Sequence, residues 1–147
     1  MPEFKCHSVI LCDDVRIEDS GKHLLIGVYT NGISVASFPA NLLLSIWLNV
    51  SFDEIGEFGF QLEIKSKTAQ HGMDAGVSIG APNRPFAIYT PRLAVQLSEP
   101  EEIQILMGLT GEEKKLLASY PVLYDPSIPS PFASGPEPLS EQLQNDV

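Results

Sequence analysis

Every second residue from Leu42 to Val50 is aliphatic. Leu42, Leu44, Ile46, Leu48 and Val50 alternate with Leu43, Ser45, Trp47, Asn49 and Ser51. Successive strand side chains point to opposite sheet faces, so this run has one wholly aliphatic face and one mixed face. A helix would spread both sets around its circumference. The same period returns in Phe58, Phe60, Leu62 and Ile64, set between Gly59, Gln61, Glu63 and Lys65, one face for a core and one for water. Upstream, Leu24–Tyr29 is apolar on both faces, as expected of a strand flanked on both sides. It reads with Leu42–Val50 as a core strand pair in the middle of an antiparallel sheet. Gly27 within it marks a bulge or a close backbone approach. Asn31-Gly32 is a turn signal, Ile33–Ser37 a short strand, and Phe38-Pro39 a break.

The remaining segments fit the same plan. Phe4–Asp13 reads as a first strand that is not an edge, turned through Glu18–Lys22 into the next. Thr68–Asp74 reads as a polar loop, followed by short strands at Val77–Ile79 and Phe86–Tyr89. Leu93, Val95 and Leu97 alternate with polar or small residues. Ile103, Ile105, Met107 and Leu109 mark another inward face, and Gly111–Lys114 turns the chain into Lys115–Tyr120. No amphipathic helix intervenes, which disfavours a parallel βαβ sheet. Turn signals recur at the spacing of a sandwich, so residues 1–122 are predicted to form an all-β, antiparallel β-sandwich of about 7–9 strands. From Pro121 the composition shifts to repeated prolines with no basic residue. Proline lacks the amide donor, so residues 123–147 are expected to form an extended, Pro-rich acidic tail outside the ladder, with one helical turn near Leu139–Gln144. The alternative is a tail docked through Val122, Leu123, Ile128 and Phe132.

A chain of 147 residues with 44% apolar content is one domain that needs no metal or disulfide to hold a core. Its net charge of -10 disfavours nucleic-acid phosphates and anionic membranes as partners. The acids are scattered rather than ranked in rows, which suits solubility better than nucleic-acid mimicry. Val9–Cys12 is too short an apolar run for a signal segment or a membrane span, so a cytoplasmic protein is expected. Cys6 and Cys12 would share one face of one strand about 20 Å apart. A disulfide needs Cα atoms within about 7 Å, so both are expected to be buried free thiols.

Catalytic chemistry has little to work with. His7, His23 and His71 are the only imidazoles, and Cys6 and His7, adjacent on a strand, face opposite ways, so no nucleophile–base pair is expected and the chain reads as a non-enzyme. Nothing has the paired spacing of a zinc site, and no glycine-rich loop leads into a helix to hold a phosphate. No cofactor is implied. Calcium is the most plausible metal: Asp13, Asp14, Glu18 and Asp19 are the best carboxylate cluster and Asp53, Glu54 and Glu57 a second, without EF-hand spacing. The remaining candidates form a surface. Leu43 and Trp47 lie on the mixed face of their strand, where a large aromatic could anchor an interface. The plainer alternative packs Trp47 beneath a loop.

The succession of an apolar strand ending in Asp13, then Gly21-Lys22, Leu25–Tyr29, Phe38-Pro39 and a long aliphatic strand resembles a family of small bacterial all-β proteins known only as a domain of unknown function. The last hairpin, Gly111 followed by Leu117–Val122, resembles it too. The likeness runs from Cys6 to Val122. It implies a sandwich-like fold and a bacterial or phage origin, and it brings no activity. The expected function is binding to a protein partner or to a second copy. A calcium- or small-ligand-binding sandwich using the acidic turns is the alternative.

Overall fold

The structure, a computed structural model, describes residues 2–128. Among these there is no helix, and ten strands form two five-stranded sheets. The first contains β1 (Phe4–Ile17), β2 (His23–Val28), β4 (Ala40–Phe52), β7 (Phe86–Tyr89) and β8 (Leu93–Leu97). Its order is β2-β1-β4-β7, with β8 also paired to β4. The second runs β3-β10-β9-β5-β6, from β3 (Ile33–Val35), β10 (Lys115–Tyr124), β9 (Glu102–Leu109), β5 (Gly56–Lys65) and β6 (Gln70–Ile79). The expected all-β sandwich is the fold found.

The alternation in β4 and β5 has the predicted cause. Leu44, Ile46, Leu48, Val50 and Phe52 are fully buried, and across from them lie Phe60, Leu62 and Ile64 of β5 with Ile103, Ile105 and Met107 of β9. β7 and β8 lie one after the other along β4. Between them Thr90 keeps the ladder closed: its amide donates to the Ile46 carbonyl at 2.9 Å, and its hydroxyl accepts the Ile46 amide at 2.9 Å. At one seam of the sandwich β1 meets β10, with the Lys115 ammonium 5.1 Å from the centre of the Phe4 ring. Along the other seam, among the described residues, β6 pairs only with β5, and β8 only with β4.

Several expectations are corrected. β2 is not flanked on both sides and does not pair with Leu42–Val50; β1 lies between them and β2 is an edge. Thr68–Asp74 is not wholly a loop, because β6 begins at Gln70 and pairs through ten residues with β5. Cys6 and Cys12 do not share a face. A register shift between Cys6 and Ser8 reverses the parity, so Cys6 lies opposite Val50 on the core side and Cys12 opposite Ser45 on the outer side. Both are free thiols, as expected, with Cys12 buried and Cys6 half-buried.

The ladder also survives Pro121. That residue sits opposite Glu102 in β10, and the strand continues to Tyr124 in parallel pairing with β3, Val122 against Ile33 and Tyr124 against Val35. The Val122 amide bonds to the Glu101 carbonyl at 2.7 Å, so losing one donor at Pro121 leaves the neighbouring rung intact. Val122 is buried and Leu123 exposed. The expected helical turn near Leu139–Gln144, Phe132 and the rest of the tail beyond Ile128 lie outside the described residues.

Candidate functional site

The outer face of the first sheet carries Trp47. Its cross-strand neighbours are Ile10 on β1 and Tyr89 on β7. Its indole N–H donates to Nδ1 of His23 at 2.9 Å, and the His23 ring stands edge-on to Tyr89 with centroids 5.4 Å apart. The accepting Nδ1 places the proton of a neutral imidazole on Nε2. The start of β2 therefore covers Trp47, which is half-buried rather than an open anchor. Leu43, on the same face of β4 four residues earlier, is 44% exposed.

The β1–β2 hairpin is held at Asp13. Its carboxylate accepts the Tyr29 hydroxyl at 2.8 Å, and its carbonyl accepts Nε of Arg92 at 3.2 Å. Opposite Asp13, Gly27 has φ of +67° and its Cα hydrogens face the carboxylate; a Cβ there would fall 2.1 Å from Oδ2. The sequence signal of a close backbone approach at Gly27 is thus explained. Burial and the Asp13 carboxylate push the Tyr29 phenol well above its ordinary range. Burial and the Asp13 and Asp14 charges also push the Cys12 thiol up, and burial alone does so at Cys6. Neither thiol is an activated nucleophile, which requires thiolate character.

Beyond this joint the edge strand shows a row of three aliphatic side chains. Leu24, Ile26 and Val28 are 46%, 44% and 45% exposed and lie opposite Arg16, Asp14 and Cys12 of β1. Sequence reading missed this row. Apolar residues on both faces of a short run look the same whether the second face meets a protein layer or water.

The acidic turns are spread out. Besides holding Tyr29, Asp13 points away from Asp14, its neighbour along the strand. The Asp14 carboxylate accepts the Val15 amide at 3.0 Å and Nε of Arg16 at 3.2 Å, and Glu18 accepts the Ser20 hydroxyl at 3.1 Å. Asp19 is exposed in the turn. Asp53 accepts the Glu3 amide at 2.8 Å, while Glu54 and Glu57 are exposed. Among the described residues no three His, Cys, Asp or Glu side chains are grouped to hold a metal. His7 meets the Ser51 hydroxyl at 2.8 Å.

A concavity of about 740 Å³ lies on the open seam, within the range of small-molecule sites. Asn41, Leu42 and Leu43 of β4 and Ala94, Val95 and Gln96 of β8 form one side. Thr68, Ala69, Gln70 and His71, from the β5–β6 turn and the start of β6, form the other, with Ser98 at one end. Lys67 pairs with Glu99 at 2.7 Å, and the Thr68 hydroxyl bonds to Glu101 at 3.3 Å, bracing that turn against the β8–β9 connection. Of its members, sequence reading singles out Leu43 as an interface candidate and His71 as one of the three imidazoles.

Among the described residues no helix is long and apolar enough to cross a membrane. Compared with known proteins, residues 7–118 match the model of a family described as "Family of unknown function (DUF6941)". The match spans most of the chain, and the chain belongs to that family. No curated protein matches it.

Proposed function

From membership of a family without an assigned activity, we propose that this chain is a non-enzymatic binding module of the bacterial cytoplasm, working through protein–protein contacts and first through self-association. The observation that carries this reading is that Leu24, Ile26 and Val28, alternate residues of a strand with one free edge among the described residues, are each nearly half exposed. Each Å² of apolar surface left in water forgoes about 25 cal/mol, and a contiguous row recovers it by meeting another. Two copies set antiparallel about Ile26 would place Leu24 of one against Val28 of the other. The row is therefore complementary to itself, as a two-fold interface requires. Asp14 and Arg16 beside it neutralise each other at 3.2 Å, which limits local repulsion between two acidic copies. The non-enzymatic half of the reading is supported by the raised thiols and by the imidazole nitrogens of His7 and His23 already in hydrogen bonds.

Light scattering on the eluting protein tests this. The parent is expected to gain mass with concentration, and Ile26→Glu to run as a monomer with an unchanged circular dichroism spectrum. A parent that stays monomeric at every concentration, like its variant, overturns the reading.

A further inference from the structure

We propose that the groove between β6 and β8 is a peptide site that takes an extended, uncharged segment of another polypeptide as an added strand. It uses strands other than the β2 row and does not depend on self-association. Three observations converge on it.

The first is main-chain geometry. Among the described residues β8 has a ladder partner only in β4, and β6 only in β5, so within them each keeps one row of amides and carbonyls without a strand partner. Three consecutive residues, Ala94, Val95 and Gln96, line the groove. So do Asn41, Leu42 and Leu43 of β4, and because strand side chains alternate, consecutive trios mean that main-chain atoms as well as side chains form the groove wall. An edge of this kind binds an extended chain by continuing the ladder.

The second is charge. The chain carries -10 overall, yet the eleven residues lining the groove include no carboxylate, ammonium or guanidinium. Lys67 and Glu99 at its rim already satisfy each other. A charged occupant would lose hydration there without gaining a counter-ion, which is costly. An uncharged occupant meets the carboxamides of Asn41, Gln70 and Gln96, each of which donates and accepts as a peptide unit does.

The third is the shape of the lining. Leu42 belongs to the core-facing row of β4 and is only half-buried, so it offers apolar contact to a side chain of the guest. β8 spans five residues, which at the usual rise accepts a partner of roughly 17 Å. Apart from the His71 imidazole the groove has no aromatic ring on which the C–H face of a sugar could stack, so the lining favours a peptide over a saccharide.

The experiment pans a phage-displayed library of random dodecapeptides against the full chain. An enriched sequence, acetylated and amidated, is then titrated into 15N-labelled protein. Enriched peptides are expected to be uncharged and rich in β-branched residues, and to shift the amides of Ala94, Val95, Gln96, Gln70 and His71. Ala94→Glu and Ala94→Lys, both at an exposed position, should each weaken binding at least tenfold while Ala94→Ser binds like the parent. Ile26→Glu should leave peptide binding unchanged, which separates this site from the β2 row. The proposal is overturned if nothing is enriched, if the shifts fall away from the groove, or if Ala94→Glu binds like the parent. It is equally overturned if a neutral oligosaccharide such as cellohexaose shifts the groove amides and the peptides do not.

Discussion

β2 and β4 are written in nearly the same alphabet and end in opposite environments. His23–Val28 and Ala40–Phe52 are both dominated by Leu, Ile and Val. β4 has strands on both sides and a second sheet beneath it, and its inward row from Leu44 to Phe52 is dark. β2 has one strand neighbour among the described residues, and its Leu24, Ile26 and Val28 stay nearly half in water. The difference lies in the number of layers around each strand, which no property of the strand itself decides. It also separates what the two rows do: β4's row is committed to stability, whereas β2's is free to be spent on a partner.

The largest test of that division is a matched pair of truncations. Leu48→Ala should cost about 2–5 kcal/mol, because a fully buried leucine leaves a cavity among close-packed neighbours. Leu24→Ala should stay within about 0.5 kcal/mol in the monomer, as surface substitutions usually do. Urea unfolding of both variants measures the contrast. Comparable losses would mean that β2 is part of the core and would break the comparison.

What the sequence made legible follows the same line. Strict alternation in β4 and β5 was readable because large aliphatics occupy every inward position, and the core falls where that pattern put it. β6 alternates as well, with His71, Met73, Ala75, Val77 and Ile79 on one side, but glycines at 72 and 76 and an imidazole at one end dilute the signal below that of a strand. Cys6 and Cys12 were placed by counting, and one register shift between them defeats counting. Pro121 was read as the end of the ladder because a missing donor was weighed without asking whether that donor would have had a partner. The groove was the least legible feature. Its lining comes from β4, from the start of β6 with the turn before it, and from β8 with Ser98, stretches that only the fold brings together, so Leu43 and His71 stand out in the sequence separately and for unrelated reasons. Likewise the cover on Trp47 is His23, from a strand two positions away in the sheet.

A smaller effect is expected where the edge hairpin joins the body. Gly27→Ala asks an L-residue to hold a positive φ and puts its methyl against the Asp13 carboxylate, at a cost of about 1–3 kcal/mol. Making the same change in an Asp13→Ala background separates the two causes. The steric part should disappear there and the conformational part should remain, so the double-mutant cycle gives a favourable coupling. If the coupling is zero, the close approach of Asp13 to Gly27 contributes nothing to holding the hairpin.

The smallest effect concerns the phenol on the same carboxylate. The Tyr29 hydroxyl donates to Asp13 at 2.8 Å, and a hydrogen bond to a charged acceptor at a half-buried site contributes on the order of 1 kcal/mol. Tyr29→Phe should lose about that much near neutral pH. Burial, and then Asp13, raise the phenol above its unfolded value of roughly 10. The folded state therefore holds the proton more tightly than the unfolded state does. That contribution is fully present below the unfolded value and drains away as the pH climbs from there toward the folded one. The parent should accordingly lose its advantage over Tyr29→Phe as alkaline pH is approached, while the two curves run parallel around neutral pH. Because the linkage belongs to the joint of the hairpin, the amides of Gly27 and Val28 should be the first to exchange faster in the parent at high pH, ahead of those in β4. Simultaneous loosening of β2 and β4 would show that edge and centre unfold as one unit, and the contrast between them would then be one of exposure alone.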